Sequence, residues 1–155
     1  MTTFELTPHH PFSQDYKIEL DGQQVTDISP AWLIQGGQLA YAGKNYKLYR
    51  EESSGAFVLE EQEHIIARAK KNFTPSFNVS YNGTQYTLTA RIRERTSILE
   101  QGSQIIGSVD PKKKSLSRKV IASIPDSFPR AVQIFITWLA ILLYRPENVP
   151  TTGHS

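Results

Sequence analysis

The chain has 155 residues, 39% hydrophobic, 10% aromatic and 21% charged, with a formal charge of +2. That is one domain's length with apolar material for a single core, and nine glycines and nine prolines are too few for a low-complexity or collagen-like chain. The absence of cysteine excludes a disulfide scaffold, thiol catalysis, cysteine-ligated zinc and palmitoyl anchoring.

The first residues, Met1 to Pro8, show neither a basic start nor an apolar stretch. No secretory signal or transit peptide is read there, a cytoplasmic chain is expected, and residues 1–13 are expected to be a tail. From Tyr16 onward the hydrophobic pattern has a period of two, the mark of half-buried strands. Tyr16, Ile18 and Leu20 alternate with Lys17 and Glu19 before a turn at Asp21-Gly22. Trp32-Leu33-Ile34, Gly36-Gly37 and Leu39 to Tyr41 predict a hairpin. Tyr46, Leu48 and Tyr49 lead through Ser53-Ser54-Gly55 to Phe57-Val58-Leu59, and Ile65 to Ala69 add another strand. Phe77, Val79 and Tyr81 run into Asn82-Gly83, a dipeptide suited to a type I′ turn because both residues tolerate positive φ.

In the strand that follows, Tyr86, Leu88, Ala90 and Ile92 point one way, and Thr87, Thr89, Arg91 and Arg93 the other. Thr96 to Leu99, Ile105-Ile106 and Val120 to Ile124 are further strands, separated by Gly102-Ser103 and Asp110-Pro111. Such spacing predicts an antiparallel meander, closed or nearly closed. No repeat of fixed period and no dividing linker is apparent, which leaves one domain over residues 14–146 and a second tail at 147–155.

The chain then changes character. Ala131 to Tyr144 reads AVQIFITWLAILLY between Arg130 and Arg145, and a helix is expected over residues 127–145, capped by Asp126 or Ser127 with Pro129 in the first turn. Fourteen helical residues span roughly 21 Å at about 1.5 Å each, short of the roughly twenty residues a bilayer core demands. Gln133 and Thr137 are its only interior polar side chains, so it has no charged face to turn to water and must be surrounded. The expected architecture is mainly β: an antiparallel barrel of many short strands wrapping this helix, with Ile134, Phe135, Trp138, Leu139 and Leu142 as its core.

Short antiparallel strands, Ile106-Gly107-Ser108-Val109, a basic stretch and a uniformly apolar C-terminal helix resemble the tubby-like superfamily, which includes Tubby C-terminal domains, phospholipid scramblases and LURP-one-related proteins. Ile124-Pro125-Asp126-Ser127-Phe128-Pro129 leading into Gln133 to Leu139 looks most like its small bacterial members. The resemblance implies a barrel of about a dozen strands around the helix. Scrambling is not implied, because the palmitoylated cysteines and acidic calcium loop of scramblases have no counterpart.

No catalytic constellation stands out. Gly37 to Asn45 has five residues between its glycines and no hydroxyl after Lys44, which fails the phosphate-loop pattern. Neither a nucleophile elbow nor a zinc helix occurs, His64 reads as part of a solvated strand face with Glu60 and Gln62, and no enzyme, metal or cofactor is expected. The basic residues are more informative, and they read either as a binding face or as solvated lysines on a long loop and arginines on the outer barrel wall that keep the surface soluble and discourage edge pairing. Arg91, Arg93 and Arg95 share a strand face if alternation persists; Lys112, Lys113, Lys114, Arg118 and Lys119 form a second cluster, and Lys70-Lys71 a third. The expected function is a non-enzymatic binding module for anionic lipid head groups or a protein partner, peripheral to a membrane. The alternatives are a scramblase-like protein anchored by the apolar helix and a carrier of a small hydrophobic ligand. Nucleic acid is not expected, since the clusters lack interleaved aromatics.

Overall fold

The computed structural model describes residues 1–9, 15–32, 36–91, 93–111 and 119–143. Among them are β1 (Thr2–Pro8), β2 (Tyr16–Leu20), β3 (Gln23–Ile28), β4 (Gly37–Tyr41), β5 (Lys44–Arg50), β6 (Phe57–Glu61), β7 (His64–Lys71), β8 (Ser76–Tyr81), β9 (Thr84–Arg91), β10 (Thr96–Gln101), β11 (Gln104–Pro111), β12 (Val120–Ile124) and one helix, α1 (Arg130–Leu143). All pairings are antiparallel and follow chain order, and β12 returns to pair with β1. The result is a nearly closed 12-stranded barrel whose gap lies between β3 and β4, which run side by side without a shared ladder.

Connections alternate between two ends. One end carries two-residue turns at Asp21-Gly22, Ala42-Gly43, Gln62-Glu63 and Asn82-Gly83, with positive φ at both positions of each, and a further turn at Gly102-Ser103. This handedness matches the twist of the strands they join. The opposite end carries the longer connections, among them residues 51–56, 72–75 and 93–95.

The register exposes a repeat that the linear sequence conceals. Hairpins β2–β3, β6–β7 and β10–β11 pair Ile18 with Thr26, Leu59 with Ala67 and Leu99 with Gly107, and each slips at the next residue. The slip leaves Val25, Ile66 and Ile106 as the extra residue of a bulge, each packed on the core. The intervening hairpins pair Leu39 with Tyr46 and Val79 with Tyr86. Corresponding turns begin at Asp21, Gln62 and Gly102, a period of about 40 residues. The third unbulged pair is β12 with β1, where Ala122 faces Phe4 in the same register. No turn joins these two strands. Pro125 and Met1 stand where the two turn residues would be, with the Met1 ammonium 2.5 Å from Asp126 Oδ2 and the Thr2 hydroxyl donating to Oδ1. Through this opening the chain leaves the wall and enters the lumen.

Inside lies α1. Every residue from Ala131 to Leu143 is buried, and the helix shares one apolar cluster with the inward residues of the strands. A sheet of twelve strands is wide enough to hold a helix where an eight-stranded barrel is filled by its own side chains. The two polar residues of the helix are satisfied: Gln133 Nε2 donates to Pro125 O at 2.9 Å, and the Thr137 hydroxyl to Gln133 O at 2.8 Å. Trp138 packs edge-on to Phe57, with Phe135 and Trp32 beside it, and its Nε1 donates to Ser29 O at 2.9 Å. Phe128 closes the tight-turn end against Tyr81 and Tyr86.

Several expectations are corrected here. Thr2–Pro8 is not a tail: it is a strand between β12 and β2, with Phe4 and Leu6 fully buried. Trp32 belongs to no strand; Gly36 N–H donates back to its carbonyl, and β4 pairs with β5 instead. The Trp32 ring lies against Gly37, where an added Cβ would sit 2.0 Å from a ring carbon. Gly37→Ala is therefore expected to cost about 1–3 kcal/mol as an overpacked contact, read as a lower urea midpoint. Asp110-Pro111 is no separator but the end of β11, paired with Ile121 and Val120. The helix begins at Arg130 rather than residue 127, and Asp126 is engaged by Met1 and Thr2. Residues 144–155 lie outside the described ones.

Ser97 occupies the repeat position held by Tyr16 and Phe57, and its hydroxyl is buried without a partner. Ser97→Ala is expected to stabilise the barrel by about 1 kcal/mol, since an unsatisfied buried hydroxyl is removed, and to raise the urea midpoint accordingly.

Candidate anionic-surface site

The basic residues collect at the end with the longer connections, but not in the arrangement the alternation suggests. β9 stops at Arg91, which faces outward beside the inward Ala90. Residues 93–95 form a turn in which Arg95 has φ of 54°, so Arg93 and Arg95 crown the barrel rim instead of continuing the wall. All three arginines are exposed, with Glu94 the one acid among them. The neighbouring connection, residues 72–75, is tied to the same rim because Ala90 N–H donates to Pro75 O at 2.8 Å. Lys70 is exposed on β7 immediately before it.

Lys71 departs from expectation. Alternation along β7 turns Ala67, Ala69 and Lys71 inward and Arg68 and Lys70 outward. Lys71 is only 5% exposed, and its ammonium donates to Asn72 O at 2.7 Å and Thr74 O at 2.9 Å. Burial pushes its pKa below the usual lysine value. It braces a loop and does not belong to the solvent-facing cluster. Lys119 is half-buried and lies 3.5 Å from Glu5 across the β1–β12 boundary. Lys112, Lys113, Lys114 and Arg118 lie outside the described residues. The structure thus joins Arg91, Arg93, Arg95 and Lys70 on one rim.

The core residues Ile134, Phe135, Trp138, Leu139 and Leu142 are all buried as expected of the wrapped helix. His64 does not share a strand face with Gln62, because Gln62-Glu63 is the turn and His64 pairs with Glu61, exposed. Among the described residues no three His, Asp or Glu side chains gather closely enough to hold a metal ion.

A groove of about 560 Å³ runs along β4 and β5 beside the gap, lined by Trp32, Gln38, Lys47, Tyr49 and Glu60. The Tyr49 hydroxyl donates to Glu60 Oε1 at 2.8 Å. Desolvation and that carboxylate push the Tyr49 pKa up to about 12 from 10.0. Because the folded state holds the proton more tightly, the stability from this hydroxyl is complete below pH about 10 and lost as pH rises towards about 12. Burial and Glu61 raise the Tyr46 phenol as well, so absorbance titration near 295 nm is expected to show late-ionising phenols of which Tyr49→Phe removes the one near pH 12.

Comparison with family models, with curated proteins and with solved structures found no match to this chain. No helix among the described residues is long and apolar enough to cross a membrane.

Proposed function

We propose that this chain is a tubby-like barrel that works without catalysis, docking its basic rim onto anionic head groups at a membrane surface, on the cytoplasmic side. The observation that carries this reading is the convergence at one barrel end of exposed Arg93 and Arg95 on a connection with exposed Arg91 and Lys70 on the strands β9 and β7 that lead into two adjacent connections. Each such cation adds about 1 kcal/mol of attraction near an anionic leaflet, so four together make a salt-sensitive peripheral interaction. The tubby-like assignment draws support from the nearly closed 12-stranded barrel around its C-terminal helix. The two alternatives draw less. An anchor would need the helix in lipid, yet its residues are sheathed by strands; a carrier would need a lumen, which the same helix occupies.

Vesicle flotation tests the reading. The protein is expected to float with phosphatidylcholine vesicles containing phosphatidylserine or a phosphoinositide, and to remain at the bottom with phosphatidylcholine alone. Release by about 0.5 M salt is expected, because screening then shortens to a few ångströms. Equal recovery with both vesicle types, or none with either, overturns it.

A further inference from the structure

The loop beside the basic rim is built to hold one aromatic ring outward. Phe73 is 73% exposed, whereas Phe4, Phe57, Phe77, Phe128 and Phe135 are buried. The carbonyls on either side of it, Asn72 O and Thr74 O, both accept from the buried Lys71 ammonium, which therefore bridges the two residues that flank Phe73. Asn72 Nδ2 donates to the Ser76 hydroxyl at 2.8 Å, the Thr74 and Ser76 hydroxyls lie 2.9 Å apart, and Pro75 O holds the edge of β9. Burying a lysine to brace a loop is costly, and what that loop presents is an exposed aromatic side chain at the barrel end that also carries Lys70 and Arg91. Aromatic rings at the head-group level, ringed by cations, are the composition of surfaces that bind the bilayer interface.

We propose that Phe73 is the apolar anchor of the docking face, entering the interfacial layer of an anionic bilayer while Lys70, Arg91, Arg93 and Arg95 hold the head groups. This rests on the docking reading above and adds to it an insertion point and an orientation: the barrel stands with its tight-turn end away from the membrane. Lys71 is a positioning residue for the ring.

The cysteine-free chain permits a direct test. Phe73→Cys and, as a control at the opposite end, the exposed Ile105→Cys are each labelled with an environment-sensitive fluorophore and mixed with phosphatidylcholine–phosphatidylserine vesicles. The label at 73 is expected to shift to the blue with a severalfold rise in emission, and to be quenched by lipids spin-labelled near the head group, while the label at 105 stays unchanged. In unlabelled protein, Phe73→Ala is expected to weaken vesicle binding about tenfold with a melting temperature within a few degrees of the wild type, and Phe73→Trp to restore binding. Flotation of the labelled protein with no emission change at 73 overturns the insertion alone. Failure of the wild type to float at all overturns the docking reading and the insertion with it. Equal changes at 73 and 105 overturn the proposed orientation.

Discussion

Trp138→Asp is expected to leave no folded barrel. The indole is completely buried, packed edge-on to Phe57 at 5.8 Å, and its Nε1 spans from helix to wall to reach Ser29 O. Truncating a buried tryptophan costs roughly 3–5 kcal/mol through lost contacts and the cavity left behind. An unpaired carboxylate in that cavity adds several kcal/mol more, and the sum rivals the whole stability of about 5–15 kcal/mol expected of such a domain. Loss of near-ultraviolet circular dichroism and collapse of amide chemical-shift dispersion would record it. Trp138→Phe separates the two contributions: it retains most of the ring but leaves Ser29 O without this donor, for a cost of about 1–2 kcal/mol. A soluble Trp138→Asp protein with an unchanged melting temperature would mean that the helix is not enclosed by the sheet.

The second large effect concerns binding. Arg91, Arg93 and Arg95 changed together to Glu are expected to abolish flotation with phosphatidylserine vesicles. Losing three cations removes about 3 kcal/mol of attraction, about a hundredfold in affinity, and the three new carboxylates add repulsion. Because all three side chains are exposed, the melting temperature is expected to stay within a few degrees of the wild type. The charge-neutral variant with three glutamines is expected to fall between, and its residual binding to depend less steeply on salt. Unchanged partitioning of the reversed variant would remove this rim from the binding face.

Much of the barrel is legible in the sequence because alternation is local. β9 is the clearest case: Leu88 faces the core and Thr87, Thr89 and Arg91 face away, as the period of two requires. The strands that escape notice do so for identifiable reasons. In β3 the bulge places Val25 and Ile28 three residues apart, which breaks the alternation that marks a strand. β1 has only Phe4 and Leu6 to signal it, and it is held by β12, which lies more than a hundred residues along the chain. The repeat is hidden similarly, since its shared positions are a few inward residues around turns and only the pairing register aligns them.

The candidate site was half legible. That Arg91, Arg93 and Arg95 belong together could be read from their spacing, but the turn that ends β9 at Arg91 places them on the rim. Composition treats Lys70 and Lys71 alike, yet β7 sends one outward and the other inward to brace the loop that holds Phe73.

By itself the sequence determined that this is an antiparallel β protein and that its apolar helix must be surrounded, because periodicity and the lack of any charged helix face are properties of neighbouring residues. Only the tertiary structure decided that β1 closes against β12, that the gap falls between β3 and β4, and that the helix enters where a third turn is missing. Those outcomes depend on which distant edges find hydrogen-bond partners and which side chains fill the lumen, and no local pattern encodes a choice made between residues so far apart.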